Sequence, residues 1–423
     1  MSSATIEMGI EETLGTPAEY DVWKVREDFP ILKQTVHGKP LVYLDNANTT
    51  QKPRLVLDAL STYYAEYNSN VHRASHVLGE RATEAYEGGR AKVQKFLNAR
   101  RFEEIVYVRN ATEGINLVAY TFGRQNVREG DEILITAMEH HANLVPWQML
   151  CVERGATLGI IPMDDTGELL LDEYEKMLSP RTKLVCITQM SNALGTVNPV
   201  KEMIETAHKY GVPVLIDGAQ SAYHMAVDVQ DLDCDFFVFS GHKLYGPTGI
   251  GILYGKYEHL DAMPPFMGGG DMIDTVTFEQ TTFNVPPYRF EAGTPHIAGG
   301  IGLGAAVDYL TGLGMGNIAA YERDLMSYGT AALSQVPGLK MMGTARHKAS
   351  VYSFTLEGIH PNDCGELLDR QGIAVRIGQH CAHPVLQRFG LTATVRASLA
   401  CYNTREEIDA LVRALHKVRE LMS

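Results

Sequence analysis

Lys243 follows directly on an unbroken apolar run, Phe236-Phe237-Val238-Phe239, within Ser240-Gly241-His242-Lys243, and Gly246, Gly249 and Gly251 come next. A lysine at the mouth of a buried strand is disfavoured unless its charge is paired or used. Desolvation there lowers its pKa and frees an amine for covalent chemistry with a carbonyl. Asp217 closes a second apolar run, Val212-Pro213-Val214-Leu215-Ile216, and precedes Lys243 by 26 residues. That interval fits one strand, loop and strand, so carboxylate and amine can face one crevice. Pyridoxal phosphate needs this pair: a lysine for covalent attachment and an acid that keeps the ring nitrogen protonated. Either residue alone reads as a surface turn residue; the two strands together favour the cofactor.

Other residues of suitable chemistry collect just past strand-like runs. Thr112 lies in Asn110-Ala111-Thr112-Glu113-Gly114, where a strand-like run gives way to a helical pattern. The free N–H groups and dipole of a helix start favour an anion, and the Thr112 hydroxyl adds to them. Ser240 and His242, beside Lys243, are a natural second group of phosphate ligands. His140 and His141 follow a run ending at Thr136. Adjacent histidines on extended chain face different ways and make a poor metal pair, but one imidazole can lie over a cofactor ring and shuttle protons. Asn192 and Gln220, past the runs ending at Thr188 and Asp217, offer amides to a phenolic oxygen or a substrate carboxylate. Arg396 suits bidentate capture of a carboxylate; an ion pair with a buried acid fits it nearly as well.

Cys381 stands in Arg376-Ile377-Gly378-Gln379-His380-Cys381-Ala382-His383. An arginine and two histidines around it are expected to lower the thiol pKa and expose a thiolate nucleophile. No arginine or histidine lies within two residues of Cys151, Cys186, Cys234, Cys364 or Cys401. Without a C-x-x-C pair, neither a disulfide framework nor a metal site is expected.

These residues need a scaffold that gathers strand ends. Strand-like runs at 105–108, 132–136, 184–188, 212–217 and 236–240 alternate with helical stretches, which predicts a mostly parallel sheet with right-handed crossovers. A run at 250–254, joined to 236–240 by a short Gly/Pro loop, is expected to be antiparallel. Ligands in such sheets bind beyond the carboxyl ends of the strands. Residues 41–45 read as a strand, 264–295 as loop, and 301–313 as a glycine-rich helix. The remainder closes with a capping box, Thr404-Arg405-Glu406-Glu407, ahead of a core-facing stripe over 408–421. With 423 residues, 45% apolar and 21% charged, the chain is sized for two domains. A net charge of −14 argues against nucleic acid or an anionic membrane as partner. No apolar run approaches the ~18 residues of a membrane span. Residues 1–20 hold four glutamates and no lysine or arginine, unlike a signal or transit peptide; a flexible arm on a cytoplasmic protein is expected.

The sequence resembles the SufS-type (group II) cysteine desulfurases of the class V aminotransferase family. The resemblance runs from Asp28-Phe29-Pro30 to Tyr402-Asn403-Thr404 and is densest over 46–53, 112–116, 139–147, 217–220, 240–251, 289–295 and 376–382. It implies fold type I of the pyridoxal phosphate-dependent transferases. In that fold, an N-terminal arm and short helix over 1–40 pack with the small domain. A large α/β domain over 41–305 surrounds a mostly parallel seven-stranded sheet. A smaller C-terminal α/β domain over 306–423 carries the Cys381 loop. Carried over position by position, Lys243 binds the cofactor covalently, Asp217 pairs with the pyridine nitrogen, His140 stacks on the ring and Gln220 contacts the phenolic oxygen. Thr112, Ser240 and His242 hold the phosphate, joined by Thr294 from the neighbouring subunit of a homodimer. Asn192, His72, Arg376 and Arg396 face the substrate, and Cys381 accepts its sulfur.

The implied reaction converts L-cysteine to L-alanine and leaves a persulfide on Cys381, for a SufE-like or SufU-like acceptor in iron–sulfur cluster assembly. Asn48, where relatives usually have alanine, and His383, where Met or Gln is common, are departures that leave partner choice open. The compact Cys loop, unlike the long serine-rich loop of group I enzymes, implies slow turnover without a partner. A selenocysteine lyase or another β-lyase on this scaffold is the enzymatic alternative. A non-catalytic assembly platform is disfavoured by the presence of Lys243, Asp217 and Cys381.

Overall fold

A computed structural model describes residues 20–422; the acidic arm ahead of Tyr20 lies outside the described residues. Seven strands make the central sheet: β1 (Ile105–Val108), β2 (Glu132–Thr136), β3 (Thr157–Ile161), β4 (Thr182–Thr188), β5 (Val214–Asp217), β6 (Phe236–Ser240) and β7 (Gly251–Gly255). Their spatial order is β1-β7-β6-β5-β4-β2-β3. As expected from the short loop before it, β7 is antiparallel to β6, and it is antiparallel to β1 as well. The pairings from β6 through to β3 are parallel.

The unbroken apolar runs follow from burial on both faces. Along β1, Ile105 and Tyr107 join one apolar cluster while Val106 and Val108 join another. β3 carries little strand signal in the sequence because it is an edge strand, half-exposed, with a glycine at its centre. Against one face, helices Val77–Phe96 and Ile297–Leu313 pack backbone to backbone. A Cβ at Gly89 would stand 2.5 Å from the Gly300 carbonyl oxygen, which explains the glycine-rich helix.

The C-terminal part builds a second sheet from β8 (Leu339–Met342), β9 (Val351–Leu356), β10 (Arg376–Gly378) and β11 (Thr394–Ser398), in the order β8-β9-β11-β10. Every pairing in it is antiparallel. Helices Pro361–Asp369 and Arg405–Met422 share its apolar cluster. The capping box forms: Thr404 Oγ1 accepts from Glu407 N at 3.3 Å and Glu407 Oε2 from Thr404 N at 3.1 Å.

The strand expected over 41–45 shortens to Val42–Tyr43 and pairs in parallel with Ile373–Ala374, so this segment is seated on the C-terminal part. Helix Val22–Glu27 joins it there. Its Arg26 donates to the Tyr402 carbonyl at 2.6 Å and pairs with Glu407 at 3.0 Å. Residues 264–295 are not all loop: Ile273–Val276 and Thr281–Phe283 form a hairpin. Among the described residues no single helix is long and apolar enough to cross a membrane.

Candidate active site

The carboxyl ends of β4, β5 and β6 lie side by side, and the residues just past them wall a cavity of about 210 Å³. Lys243, Asp217, Gln220 and Asn192 line it, together with His140 from the β2 side. Thr112, Ser240 and His242 close one end. Eight of the residues singled out in the sequence therefore meet in one place.

Asp217 ends β5, paired with Val238 of β6, and its Oδ1 accepts the Ala219 N–H at 2.9 Å. The chain leaves β6 in a turn closed by Gly246 N on the Gly241 carbonyl, which presents Lys243. Loss of water around the Lys243 amine lowers its pKa to about 8, and Asp217 opposes that shift by favouring the charged form. Burial likewise raises the Asp217 carboxyl. His140 accepts from Ala142 N through Nδ1 at 3.0 Å, and burial, then Lys243, pushes its pKa down to about 3. The imidazole is neutral at ordinary pH.

At the other end, Ser240 Oγ accepts from Ala111 N at 2.9 Å, tying β6 to the start of helix Ala111–Val118. Asn110 caps that helix through the Glu113 N–H at 2.9 Å, and Thr112 is exposed in its first turn. His242 is neutral too, lowered to about 4 by burial and by Lys243. Gln220 donates to the Ala47 carbonyl at 2.7 Å and accepts from Tyr223 Oη at 3.0 Å, which fixes its amide.

Arg396, buried on β11, reaches the cavity wall from the second sheet. It donates to the Asn192 carbonyl at 3.0 Å and contacts Asp45 at 3.4 Å, while its Nε has no partner. Of the two sequence readings of Arg396, the contact with an acid is present, at Asp45. Arg376 lies further out, donating to Asn48 at 3.3 Å and pairing with Asp45 at 3.7 Å. Asn48, one of the departures, is therefore one residue that Arg376 contacts, and Asp45 is another.

Cys381 is exposed, whereas burial raises the thiols of Cys151, Cys186, Cys234, Cys364 and Cys401. His380 and Cys381 take left-handed φ values of 53° and 54°. The loop is pinned by His141 N to the Cys381 carbonyl at 2.8 Å and by Asn192 Nδ2 to the His380 carbonyl at 2.6 Å. One expectation is corrected here. His380 does not lend the thiol a protonatable neighbour: its ring turns inward to Thr394 Oγ1 at 2.7 Å. Burial, then Arg396, pushes it down to about 3. His383 is likewise engaged, stacked on His141 with Nδ1 to Nε2 at 3.0 Å.

Besides Cys381, Arg376 and Arg396, which do not line the cavity themselves, His72 and Thr294 also fall outside it. His72 bonds to Glu87 at 2.7 Å beside Tyr86 and Tyr288, away from Lys243. Thr294 is exposed in a second cavity of about 320 Å³, which Tyr86 also lines. Glu139 and Asp45, to which the sequence reading gives no role, support residues of the site: Glu139 accepts from Thr188 N, and Asp45 pairs with Arg396 and Arg376. The signal available for Glu139 was an acid directly after a buried strand and Ala137-Met138.

Residues 42–411 match the family Aminotransferase class-V. The chain belongs to that family and has the α/β fold of its pyridoxal phosphate-dependent members. The first curated relatives it matches are named cysteine desulfurase or probable cysteine desulfurase. A cysteine desulfurase from Dickeya dadantii is 52% identical over 404 residues, 95% of this chain and 98% of that protein. One from Synechococcus elongatus is 59% identical over 400 residues, 95% of this chain and 64% of that protein. The chain spans less than two thirds of the length of the first curated relatives it matches, 58% to 66%. The crystal structure of the cysteine desulfurase CsdA (S-sulfonic acid) from Escherichia coli superposes with a TM-score of 0.90 at 40% identity. That match covers 96% of this chain and 100% of that one.

Proposed function

We propose that this chain is a pyridoxal phosphate-dependent cysteine desulfurase that converts L-cysteine to L-alanine and takes the sulfur as a persulfide on Cys381. The observation that carries the reading is the meeting of two halves at one cavity. The Lys243 and Asp217 pair lies at adjacent strand ends, and the exposed Cys381 thiol rides on a loop pinned to the cavity wall by Asn192.

The donor set fits the cofactor. Asp217 offers a buried carboxylate to the ring nitrogen, Lys243 an amine with lowered pKa to the carbonyl, and His140 an imidazole to the ring face. Thr112, Ser240 and His242 offer polar groups beside a helix start to the phosphate, and Gln220 a fixed amide to the phenolic oxygen. Once bound, the cofactor supplies an electron sink next to the substrate nitrogen. The chain's own residues do the rest. Lys243 moves the α-proton, with a pKa close to working pH. The charge of Asp217 keeps the ring nitrogen protonated. Arg396, bonded to the carbonyl of the cavity residue Asn192, takes the substrate carboxylate, with Arg376 a second guanidinium at the mouth. The Cys381 thiolate attacks the substrate sulfur. An S–S bond forms as the carbon–sulfur bond breaks, the bonding pair stays with carbon, and a proton passed by His140 completes the methyl of alanine.

His72 packs on Tyr86, and Thr294 lines a second cavity with Tyr86, both apart from the cavity of Lys243. A homodimer in which each subunit lends Thr294 to its neighbour's phosphate site accounts for that placement. We divide the chain into an arm and short helix over 1–40, a large domain over 41–305 and a small domain over 306–423. The exposed Cys381 suits hand-over to a SufE-like or SufU-like acceptor for iron–sulfur cluster assembly in the cytoplasm. Incubation with L-cysteine, reading free alanine and protein-bound sulfur, tests the reaction. Both are expected from the wild type, and both are expected to vanish in Cys381→Ser while the cofactor's visible absorption persists. Undiminished persulfide from Cys381→Ser would place the nucleophile elsewhere.

A further inference from the structure

We propose that Lys52 is a positioning residue for the reaction, acting through the peptide carbonyl that immediately precedes Lys243. The inference rests on Lys243 being the lysine that takes the cofactor. Four donors from one short segment converge on the His242 carbonyl oxygen. Lys52 Nζ lies at 2.7 Å, Thr49 Oγ1 at 3.1 Å, Thr50 N at 3.2 Å and Thr50 Oγ1 at 3.3 Å. A carbonyl oxygen has two lone-pair directions, so the amine, at the shortest distance, takes the leading place and the threonine groups share what is left.

Lys52 has no carboxylate within ion-pairing distance among the described residues. Burial is the one influence resolved on its amine, which it lowers to about 7. An amine withdrawn from water without a counter-ion is disfavoured unless its donors are used. The donor of Lys52 is spent on the peptide group that carries the chain from β6 into Lys243. Thr50 Oγ1 also accepts from Tyr245 N at 3.0 Å, so the segment grips the backbone on both sides of Lys243.

The same segment is anchored to the second sheet. Asn46 donates to the Ser398 carbonyl at 2.7 Å, and Gln51 N donates to Tyr402 Oη at 3.0 Å. Ser398 lies on β11, two residues past Arg396. Lys52 therefore joins the turn that presents the lysine to the strand that presents the arginine. Without that bond the Lys243 turn loosens, water reaches the amine, and its pKa climbs toward the ordinary lysine value.

The test compares Lys52→Met, which keeps an apolar stem and removes the donor, with Lys52→Arg, which keeps a donor. Two properties of the apoprotein are read besides turnover. One is the pyridoxal phosphate dissociation constant by absorbance titration. The other is the pH dependence of Lys243 labelling by an amine reagent, located by peptide mass spectrometry. Thermal unfolding is followed alongside. In Lys52→Met the dissociation constant should rise by about tenfold or more, the effect of one charge-assisted hydrogen bond. Its Lys243 labelling should move to higher pH, and Lys52→Arg should recover most of both, with the unfolding midpoints of the two variants alike. A wild-type dissociation constant and labelling profile in Lys52→Met would overturn the inference. So would equal losses in both variants that track lost thermal stability, since that is a merely structural tether. Borohydride reduction of the wild type that fixes the cofactor on another lysine would instead remove the assignment of Lys243, and this inference with it.

Discussion

Glu139 carries a carboxylate into the core just past β2, where three donors meet it. Thr136 Oγ1 and Asn143 Nδ2 lie at 2.6 Å and Thr188 N at 2.8 Å. Burial still outweighs them and, with Asp217 adding repulsion, pushes its pKa up to about 8. Asn143 is itself held by Trp147 Nε1 through Oδ1 at 2.9 Å. Whichever way the amide of Glu139→Gln is placed, a buried N–H faces another N–H, at a cost of about 1–3 kcal/mol. Because the folded pKa lies above the ordinary 4.5, the folded state holds an extra proton between there and about 8. Wild-type stability therefore falls as pH rises through that window, whereas Glu139→Gln lacks this titration. Urea unfolding of the two apoproteins should show Glu139→Gln less stable by about 2 kcal/mol near the acid end, the gap narrowing toward pH ~8. A widening gap would mean that the carboxylate is held charged. At Asp217 the change to Asn keeps an acceptor for the Ala219 N–H but cannot hold a ring charge. We expect the cofactor to bind and alanine formation to fall about a hundredfold or more; near-normal release would make the carboxylate structural.

At the scale of elements, the Cys381 loop is attached to the residues after β2 by a histidine latch. His141 N holds the Cys381 carbonyl, and the His141 and His383 rings stack at 4.8 Å. Two protonated imidazoles so placed would repel, and burial, then His383, lowers the His141 pKa below the ordinary 6.5. The latched state thus refuses a proton that the released state accepts. Its stability is fully present above about pH 6.5 and declines as pH falls through that value toward the lowered one. Amide-exchange protection of residues 379–383 should accordingly fall between pH ~7 and ~5. In His383→Ala the protection should already be low at neutral pH and should change little on acidification. Unaltered protection in that variant would show that the loop is held by other contacts. A loop held this way restricts where the thiol can go.

Over the whole molecule, the two sheets are joined through a buried polar contact as well as apolar packing. His224, on the turn after β5, bonds through Nδ1 to Glu322 of helix Met315–Ser334, whose Oε2 also accepts from Ser350 Oγ at 2.8 Å. The side chains of His224 and Glu322 are 1% and 4% exposed, so neither can turn to water for a replacement. His224→Ala should lower the unfolding free energy by about 3 kcal/mol, read from urea unfolding. A loss near zero would mean that packing alone sets how the sheets meet. Much of this architecture is legible in the chain itself. Parallel strands buried on both faces leave unbroken apolar runs, and such sheets bind ligands at their carboxyl ends. Lys243, Asp217 and the surrounding polar residues could therefore be gathered from their positions after those runs. Cys381 stands apart because no arginine or histidine lies within two residues of the other five thiols, and all five are buried. Tertiary structure alone decided the edge strand β3, the pairing of Val42–Tyr43 with Ile373–Ala374, and the inward turn of His380. It also decided the Thr188 N–H that meets Glu139 and the His242 carbonyl that takes Lys52, 49 and 190 residues away along the chain. A local pattern determines which side chains stand at a strand end. The direction a loop side chain takes, and whether its charge survives there, is set by what packs against it from distant chain.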